Sequence, residues 1–438
     1  MLLSTTLNSR TLTSSVLFAA CASAWAGNGL LPAGNSAGSL GRGGVGLAIA
    51  SDAQAMADNP ALMHQAQESV AIGFSFHKQE IELDMRDVPF AGLPFTGRRI
   101  PSDNETTVAP GFAYTSAPIG AWQWGVQLYD MGGLNGEFRT GPVPEIRPEP
   151  QTVNLRGRIL AASLSWAATP EWNLGISALA VRQTFRTRNL LSTKALGTGQ
   201  QDSVGYGLKL GSVWQASDEL TFGATLQPRV KMSRIDYLGQ FLAAFGENEH
   251  ASIDMPTQFG VGVKLAFGSQ RQTVLAADVM QYQWSKERFY NFFGWKDQTV
   301  IKLGVEHQAT DRLTLRAGVN YGRSPIRGGS RTGNDGNFVS QTNAEAPPDP
   351  NAPRGDGKLD VAFGNYPFAT AISQTHFTVG FSHKLSRDLA LNGFGLYSPR
   401  HTEVATGQSL TPGGLLPPGS NIKAQQTAIG MSLNYSFK

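Results

Sequence analysis

Residues 298–326 read QTVIKLGVEHQATDRLTLRAGVNYGRSPI. Thr299, Ile301, Leu303 and Val305 alternate with Val300, Lys302, Gly304 and Glu306. After the short polar link Ala309-Thr310-Asp311-Arg312, the residues Leu313, Leu315, Ala317, Val319 and Tyr321 alternate with Thr314, Arg316, Gly318, Asn320 and Gly322. A period of two on both sides of a tight connection is a β-hairpin. One of its faces is continuously apolar. The other carries charge and glycine at about half its positions, and a packed sandwich core would not hold such charges unpaired. Hydrocarbon outside and water inside select this pattern, so the hairpin reads as part of a transmembrane β-barrel.

Composition supports that reading over a soluble multidomain chain. The 438 residues include 50 glycines and only 16% charged residues, with a mean hydropathy of −0.19. Past the N-terminus no apolar run approaches the length of a membrane helix, whereas a barrel dilutes its apolar residues by alternation. A net charge of +3, with no basic stripe interleaved with aromatics, gives no footprint for nucleic acid.

Residues 1–26 have the form of a cleaved export signal: Arg10, an apolar run from Leu12 to Ala22, then Ala24-Trp25-Ala26 as the small-residue cleavage site. The mature chain then starts near Gly27. A rival reading takes Phe18-Ala19-Ala20-Cys21 as a lipoprotein box, against which Phe is a poor fit at the first position. Cys21 is the sole cysteine, so cleavage after Ala26 leaves neither a disulfide nor a thiol nucleophile.

Residues 27–68 are rich in glycine and alanine and lack strand periodicity. From 69 to 438 alternating runs recur at 69–84, 106–116, 121–137, 151–167, 171–187, 203–215, 219–236, 252–267, 271–284, 298–308, 312–324, 374–385, 388–399 and 422–437. These make fourteen strands, an even number as bacterial single-chain barrels require. Short links such as Ala168-Thr169-Pro170 and Ala216-Ser217-Asp218 alternate with long connections such as 85–105 and 325–373. Short turns on one side and long loops on the other are the layout of an outer-membrane protein. Trp122, Trp124, Trp166, Trp172 and Trp214 sit beside the short turns, where an aromatic girdle belongs. Met431, Leu433, Tyr435 and Phe437 share one face of a closing strand of the kind outer-membrane assembly machinery receives, although Lys438 rather than an aromatic residue is last.

Three stretches together resemble the outer-membrane long-chain fatty acid and aromatic hydrocarbon transporters of the FadL/TodX type. The first runs from Ala37 through Gly41, Arg42 and Gly46 to Asn59-Pro60-Ala61, similar to that family's plug with its Gly-Arg element and Asn-Pro-Ala motif. The second is Trp284 to Pro325, and the third Thr375 to Tyr397. The resemblance implies a monomeric barrel of fourteen antiparallel strands in the bacterial outer membrane, its lumen closed by residues 27–68. It implies a hydrophobic small-molecule ligand that lands on extracellular loops, enters an internal pocket and leaves through a gap at a kinked third strand, without ATP or an ion gradient. Gly132-Gly133 in the third strand supplies such a kink, since glycine in a strand marks bulges and bends; a strand end loosening toward its loop accounts for the same residues.

The alternation places Lys209, Lys264, Lys302, Arg316 and Lys384 in the lumen with Asp278 and Glu306, and counting across the hairpin turn brings Glu306 beside Arg316. Internal ion pairing explains these charges. A ligand carboxylate held by Lys302 and Arg316 is the functional alternative. Arg156, Arg158, Arg182, Arg186 and Arg188 lie toward the long-loop ends of strands four and five, facing lipopolysaccharide or solvent. In the loop after strand seven, Leu238, Phe241, Leu242 and Phe245 fall on one face of a short helix. An apolar helix on an extracellular loop packs on something or binds something; here the choices are the neighbouring Leu190-Leu191 and a ligand landing groove, as the resemblance implies.

Other chemistry is weakly supported. Gly41-x-Gly43-x-x-Gly46 spells a dinucleotide fingerprint but lacks the preceding buried strand. The seven histidines show no ligand spacing for a metal, and the acidic residues from Asp349 to Asp360 lack the register of a calcium loop. Neither an enzyme nor a cofactor is expected. The rivals to passive transport of hydrophobic molecules with lateral release are a general porin for polar solutes and an outer-membrane adhesin or enzyme.

Overall fold

A computed structural model describes residues 27–84, 99–103, 106–140, 150–189, 198–243, 251–292, 295–326, 330–332, 358–360, 370–404 and 421–437. The leader, Leu190-Leu191, Phe245 and the segment from Asp349 to Gly357 lie outside them. Fourteen strands among the described residues form the ring: β1 Ser69–Asp84, β2 Thr107–Thr115, β3 Trp122–Phe138, β4 Gln151–Ala167, β5 Trp172–Arg188, β6 Gly199–Gln215 and β7 Leu220–Gln227, then β8 Gln258–Phe267, β9 Thr273–Tyr282, β10 Gln298–Gln308, β11 Leu313–Gly322, β12 Thr375–Lys384, β13 Leu389–Val404 and β14 Asn421–Ser436. Each pairs antiparallel with its sequence neighbours, and β14 closes on β1 from Ser69↔Ser436 to Asp84↔Asn421. Closure leaves no first or last strand with a free side, the requirement for crossing hydrocarbon with strands.

The quoted hairpin is β10–β11, paired from Val300↔Gly322 to Gln308↔Thr314. Its outward residues Ile301, Leu303, Leu315 and Tyr321 are about half exposed, while Lys302, Arg316 and Asn320 are buried inside. Phe377, Val379, Ile429 and Leu433 continue the apolar outer surface. The five tryptophans are all exposed at the short-turn end, with Trp122 stacked on Trp166 at 5.7 Å.

Strand bounds depart from the alternation where prolines intervene. The expected strand 219–236 stops at Gln227, because Pro228 has no N–H for the ladder. Residues 228–235 turn inward instead, bridging Val230 to Met255 and Gly205 to Met232. Pro256 likewise delays β8 from 252 to Gln258. Pro399, by contrast, is absorbed in a register shift between Ser398 and His401, and β13 continues to Val404 rather than ending at 399. β6 starts at Gly199, earlier than the expected 203.

Residues 27–66 lie inside the ring as the plug. They form only short turns of helix: Ala37–Gly41 capped by Ser36, Ala53–Ala57 capped by Asp52, Pro60–Leu62 capped by Asn59, and Met63–Ala66 without a side-chain cap. Nearly every plug residue up to Met63 is buried. A segment without strand periodicity fills a lumen because small residues let the backbone come close to the wall on all sides.

Candidate functional site: a plugged lumen with an interrupted wall

The interior has two storeys. On the periplasmic side the plug is tied to the wall by side chains of opposite character. The Glu306 carboxylate accepts from Arg42 Nη1 and from Arg316 Nε, each at 2.6 Å, while Arg42 also donates to Ser51 Oγ at 2.7 Å. Arg316 Nη1 donates to Ser382 Oγ at 2.6 Å. Asp278 Oδ2 accepts from the Gly46 and Leu47 N–H groups at 2.8 and 3.2 Å. Lys302 Nζ donates to the Ala33 and Gly44 carbonyls at 2.8 and 3.1 Å, and Lys209 Nζ to the Ala57 carbonyl at 2.6 Å. Asn392 Nδ2 donates to Asp52 Oδ2 at 3.0 Å. Buried charge is tolerable only when paired and hydrogen-bonded in this way.

The Asn-Pro-Ala motif works as a peg. Asn59 Nδ2 donates to the carbonyls of Leu47, Ser212 and Ala224 at 2.8, 3.1 and 3.3 Å, and Asn59 Oδ1 accepts from Ala61 N–H at 3.0 Å. Pro60 starts the following turn, where its missing N–H costs nothing. The wall facing the peg is Gly211, where a Cβ would lie 2.0 Å from Asn59 Oδ1. Gly318 makes the same allowance for Arg42, whose carbonyl carbon would be 2.3 Å from a Cβ.

Toward the extracellular side the inward residues of β4 from Ala161 to Val153, and those of β5 apart from Gln183 and Thr187, become hydrocarbon. Along β4 they change from Ser165 and Ser163 to Ala161, Ile159, Leu155 and Val153; along β5, Ser177 gives way to Leu179, Val181 and Phe185. The same cluster takes in Tyr282, Trp284, Tyr290 and Trp295 from β9 and its loop, and Leu30 and Leu31 from the plug. Trp284 meets Tyr290 edge-to-face at 4.8 Å. Between the storeys lies a cavity of about 50 Å³ walled by Tyr129, Met131, Met280 and Tyr282 over Asp58 and Lys302. A second cavity of about 60 Å³ runs from Asn35 to Pro110 and Gly111, sharing Asn35, Tyr129 and Asp130 with the first. Each has room for a few waters; the structure is that of a closed channel.

The wall is interrupted beside that second cavity. β2 and β3 pair only from Phe112↔Leu128 to Thr115↔Gly125 among the described residues, although β2 continues on β1 up to Thr107. Pro110 removes a ladder donor where β3 departs. On the other side of β3 the register with β4 shifts between Asp130 and Gly133. Gly132 and Gly133 have φ of 86° and 141°, and Gly132 N–H donates to Asp130 Oδ1 at 2.7 Å. Gly133 N–H, released from the ladder, donates to the Leu30 carbonyl of the plug at 2.9 Å. Above the interruption Asp103 N–H donates to the Glu137 carbonyl at 2.6 Å, so the opening is a window rather than a slit.

The structure therefore gathers Gly41, Arg42, Asn59, Pro60, Ala61, Lys302 and Arg316 at the plug seat and puts Gly132 and Gly133 at the window. Lys302 and Arg316 are engaged with plug carbonyls and Glu306 rather than turned toward the upper chamber. Lys384, expected in the lumen, is exposed at the strand's end, and Arg158, expected at the surface, is buried. Arg182 pairs with Asp202 at 2.6 Å on the exposed outer face. The loop helix is present as Asp236–Ala243, carrying Leu238, Phe241 and Leu242 in its sequence. Leu238 is buried in the upper cluster, and Tyr237 stacks on Phe185 at 6.1 Å. Sequence reasoning missed the window's lower frame at Pro110 and the aromatic group around Trp284; the inward-facing apolar run from Ala161 to Val153 on β4 was the available signal for the chamber.

Fold and site define a plugged outer-membrane β-barrel built for transport. The profile of the family described as "Outer membrane protein transport protein (OMPP1/FadL/TodX)" matches residues 17–334, more than half of the chain, and the protein belongs to that family, a family of transporters of the outer membrane. The Pseudomonas putida toluene transporter TodX is similar in fold, with a TM-score of 0.64 and 16% identity over 92% of this chain and 99% of that one. A Pseudomonas aeruginosa FadL homologue gives 0.64 and 14% over 94% and 100%. The Ralstonia pickettii toluene transporter TbuX gives 0.58 and 14% over 93% and 99%. No curated protein matches the sequence significantly.

Proposed function

We propose that the protein carries hydrophobic small molecules, aromatic or aliphatic hydrocarbons or fatty acids, passively across the outer membrane and releases them sideways through the β2–β3 window. The observation that carries this is the sequence of spaces: an apolar upper chamber, two small cavities of mixed lining that share Asn35, Tyr129 and Asp130, and a wall interruption beside the second. An apolar solute gains roughly 25 cal/mol for each Å² it removes from water on entering such a chamber. A polar porin would need an open lumen, and here the plug fills the lower storey.

In this reading residues 1–26 are a cleaved export signal and the assembly machinery inserts a monomer. Exposed arginines at the rim meet lipopolysaccharide, and the helix with Leu238, Phe241, Leu242 and Phe245 guides ligand inward. The test is paired uptake of radiolabelled toluene, a long-chain fatty acid and a sugar in cells with and without the protein. Faster entry of either apolar solute with unchanged sugar entry is expected; faster sugar entry alone would instead establish a porin.

A further inference from the structure

One sector of the lumen carries a row of uncharged polar side chains that nothing among the described residues satisfies. Register sets Gln79 on β1 opposite Gln426 on β14, and Gln426 opposite Ser398 on β13. His376 on β12 is opposite Asn320 on β11, and Ser398 and His376 each lie one residue beyond the cross-strand pair Phe377↔Tyr397. All five face inward by alternation. Gln79 is 7% exposed and the other four at most 1%. Both amide atoms of Gln79, Gln426 and Asn320, both ring nitrogens of His376 and the Ser398 hydroxyl are buried without a hydrogen-bond partner.

Such a row is costly to keep. Side chains directly opposite on adjacent strands are close enough to bond one another, yet these do not. The hydrogen bonds that neighbouring wall positions make to the plug, at Thr378, Glu306 and Lys302, do not include them. Lys302, which faces Asn320 at the end of the row, is engaged with the Ala33 and Gly44 carbonyls. The row thus offers amide, imidazole and hydroxyl groups, donors and acceptors together, without a cation turned toward a ligand.

Building on the transport reading, we propose that Gln79, Gln426, Ser398, His376 and Asn320 form a head-group subsite. It takes the uncharged oxygen function, a hydroxyl or carbonyl, of a hydrophobic ligand. A hydroxyl or carbonyl meets mixed donors and acceptors, a bare hydrocarbon leaves them unpaired, and a carboxylate calls for charge-assisted partners. The preferred cargo is an oxygenated hydrophobic molecule such as a phenol or a long-chain alcohol.

The test uses three probes of one shape, toluene, 4-methylphenol and 4-methylbenzoate, in equilibrium dialysis against the purified folded chain. With Gln79→Leu and Gln426→Leu combined, affinity for 4-methylphenol falls by about tenfold, while that for toluene stays within about twofold. Because leucine replaces amides that have no partner, Tm stays at or above that of the unaltered protein. A lower Tm would show that the amides belong to a structural water network and would overturn the subsite, as would an equal change for both neutral probes. Binding of 4-methylbenzoate to the unaltered protein as tight as that of 4-methylphenol would overturn the uncharged class. If toluene binds and 4-methylphenol does not, this inference fails alone; if none of the probes binds, the transport reading falls with it.

Discussion

Between β10 and β11 nine consecutive residue pairs run without a break, and the plug is fastened to that wall through Arg42, Glu306, Arg316 and Lys302. Between β2 and β3 only four pairs form among the described residues, next to a register shift and two glycines at positive φ, with one backbone bond from Gly133 to the plug. The same closed sheet is continuously paired on one side and tied there to the plug by charged groups. On the other it is incompletely paired, and the plug is held by uncharged groups, including Gln127 Nε2 donating to the Gln54 carbonyl at 3.1 Å. Strand pairing is all that keeps lipid and lumen apart, so a site of lateral exit has to sit where pairing is given up. The plug's charges sit across from it, where water is excluded and each pair is worth more than in solvent.

The strongest way to break the contrast is to remove the carboxylate shared by two guanidinium groups. Glu306→Ala leaves Arg42 and Arg316 buried side by side, and losing one partner of a buried network costs about 3–5 kcal/mol. Proteolysis of residues 37–60 in the folded barrel should become rapid; if the plug stays as resistant as before, the clamp is not what seats it. Deleting residues 28–67 removes both attachments at once. The barrel should still assemble, with heat-modifiable migration on gels, and conduct small ions far better in planar bilayers, because a barrel of this strand number has a lumen wider than its own side chains fill. Unchanged conductance would mean that the segment does not block the lumen.

The incompletely paired side is sharpened by making it regular. Gly132→Val combined with Gly133→Val places β-branched residues where φ is positive, a strain of about 1–2 kcal/mol each that a straightened strand would relieve. Toluene uptake should fall by more than about tenfold while the plug's protease resistance is unchanged; equal uptake would take the window out of the route. The smallest effect is expected at the mouth. Phe241→Ser with Phe245→Ser should reduce capture of a dilute apolar ligand by about tenfold, the equivalent of 1.4 kcal/mol, and vanish at saturating ligand. A loss that persists at saturation would point to a damaged barrel.

Much of this architecture was legible in the chain itself. Alternation with lipid on one face is a property of each strand alone, so fourteen strands, their short-turn and long-loop sides and the tryptophan girdle followed from Thr299 to Tyr321 and its repeats. Counting across one tight turn even placed Glu306 beside Arg316, now joined at 2.6 Å, because a hairpin fixes its own register. Where a proline fell inside an alternating run, the run misled: Pro228 ended β7 and turned 228–235 inward, whereas Pro399 was carried in a bulge.

What the tertiary structure decided was everything that depends on residues distant in the chain. For Lys302 the sequence left internal pairing and a ligand carboxylate both open, and its engagement with the Ala33 and Gly44 carbonyls, up to 269 positions away, is visible only in the folded chain. Likewise Gln79, Gln426, Ser398, His376 and Asn320 are ordinary lumenal residues one at a time, and become a row only when ring closure brings β14 against β1. Periodicity is written by each strand's own two surroundings, so sequence holds it. Which lumenal groups are satisfied and which are left for a ligand is set by who stands opposite, and only the closed, plugged barrel determines that.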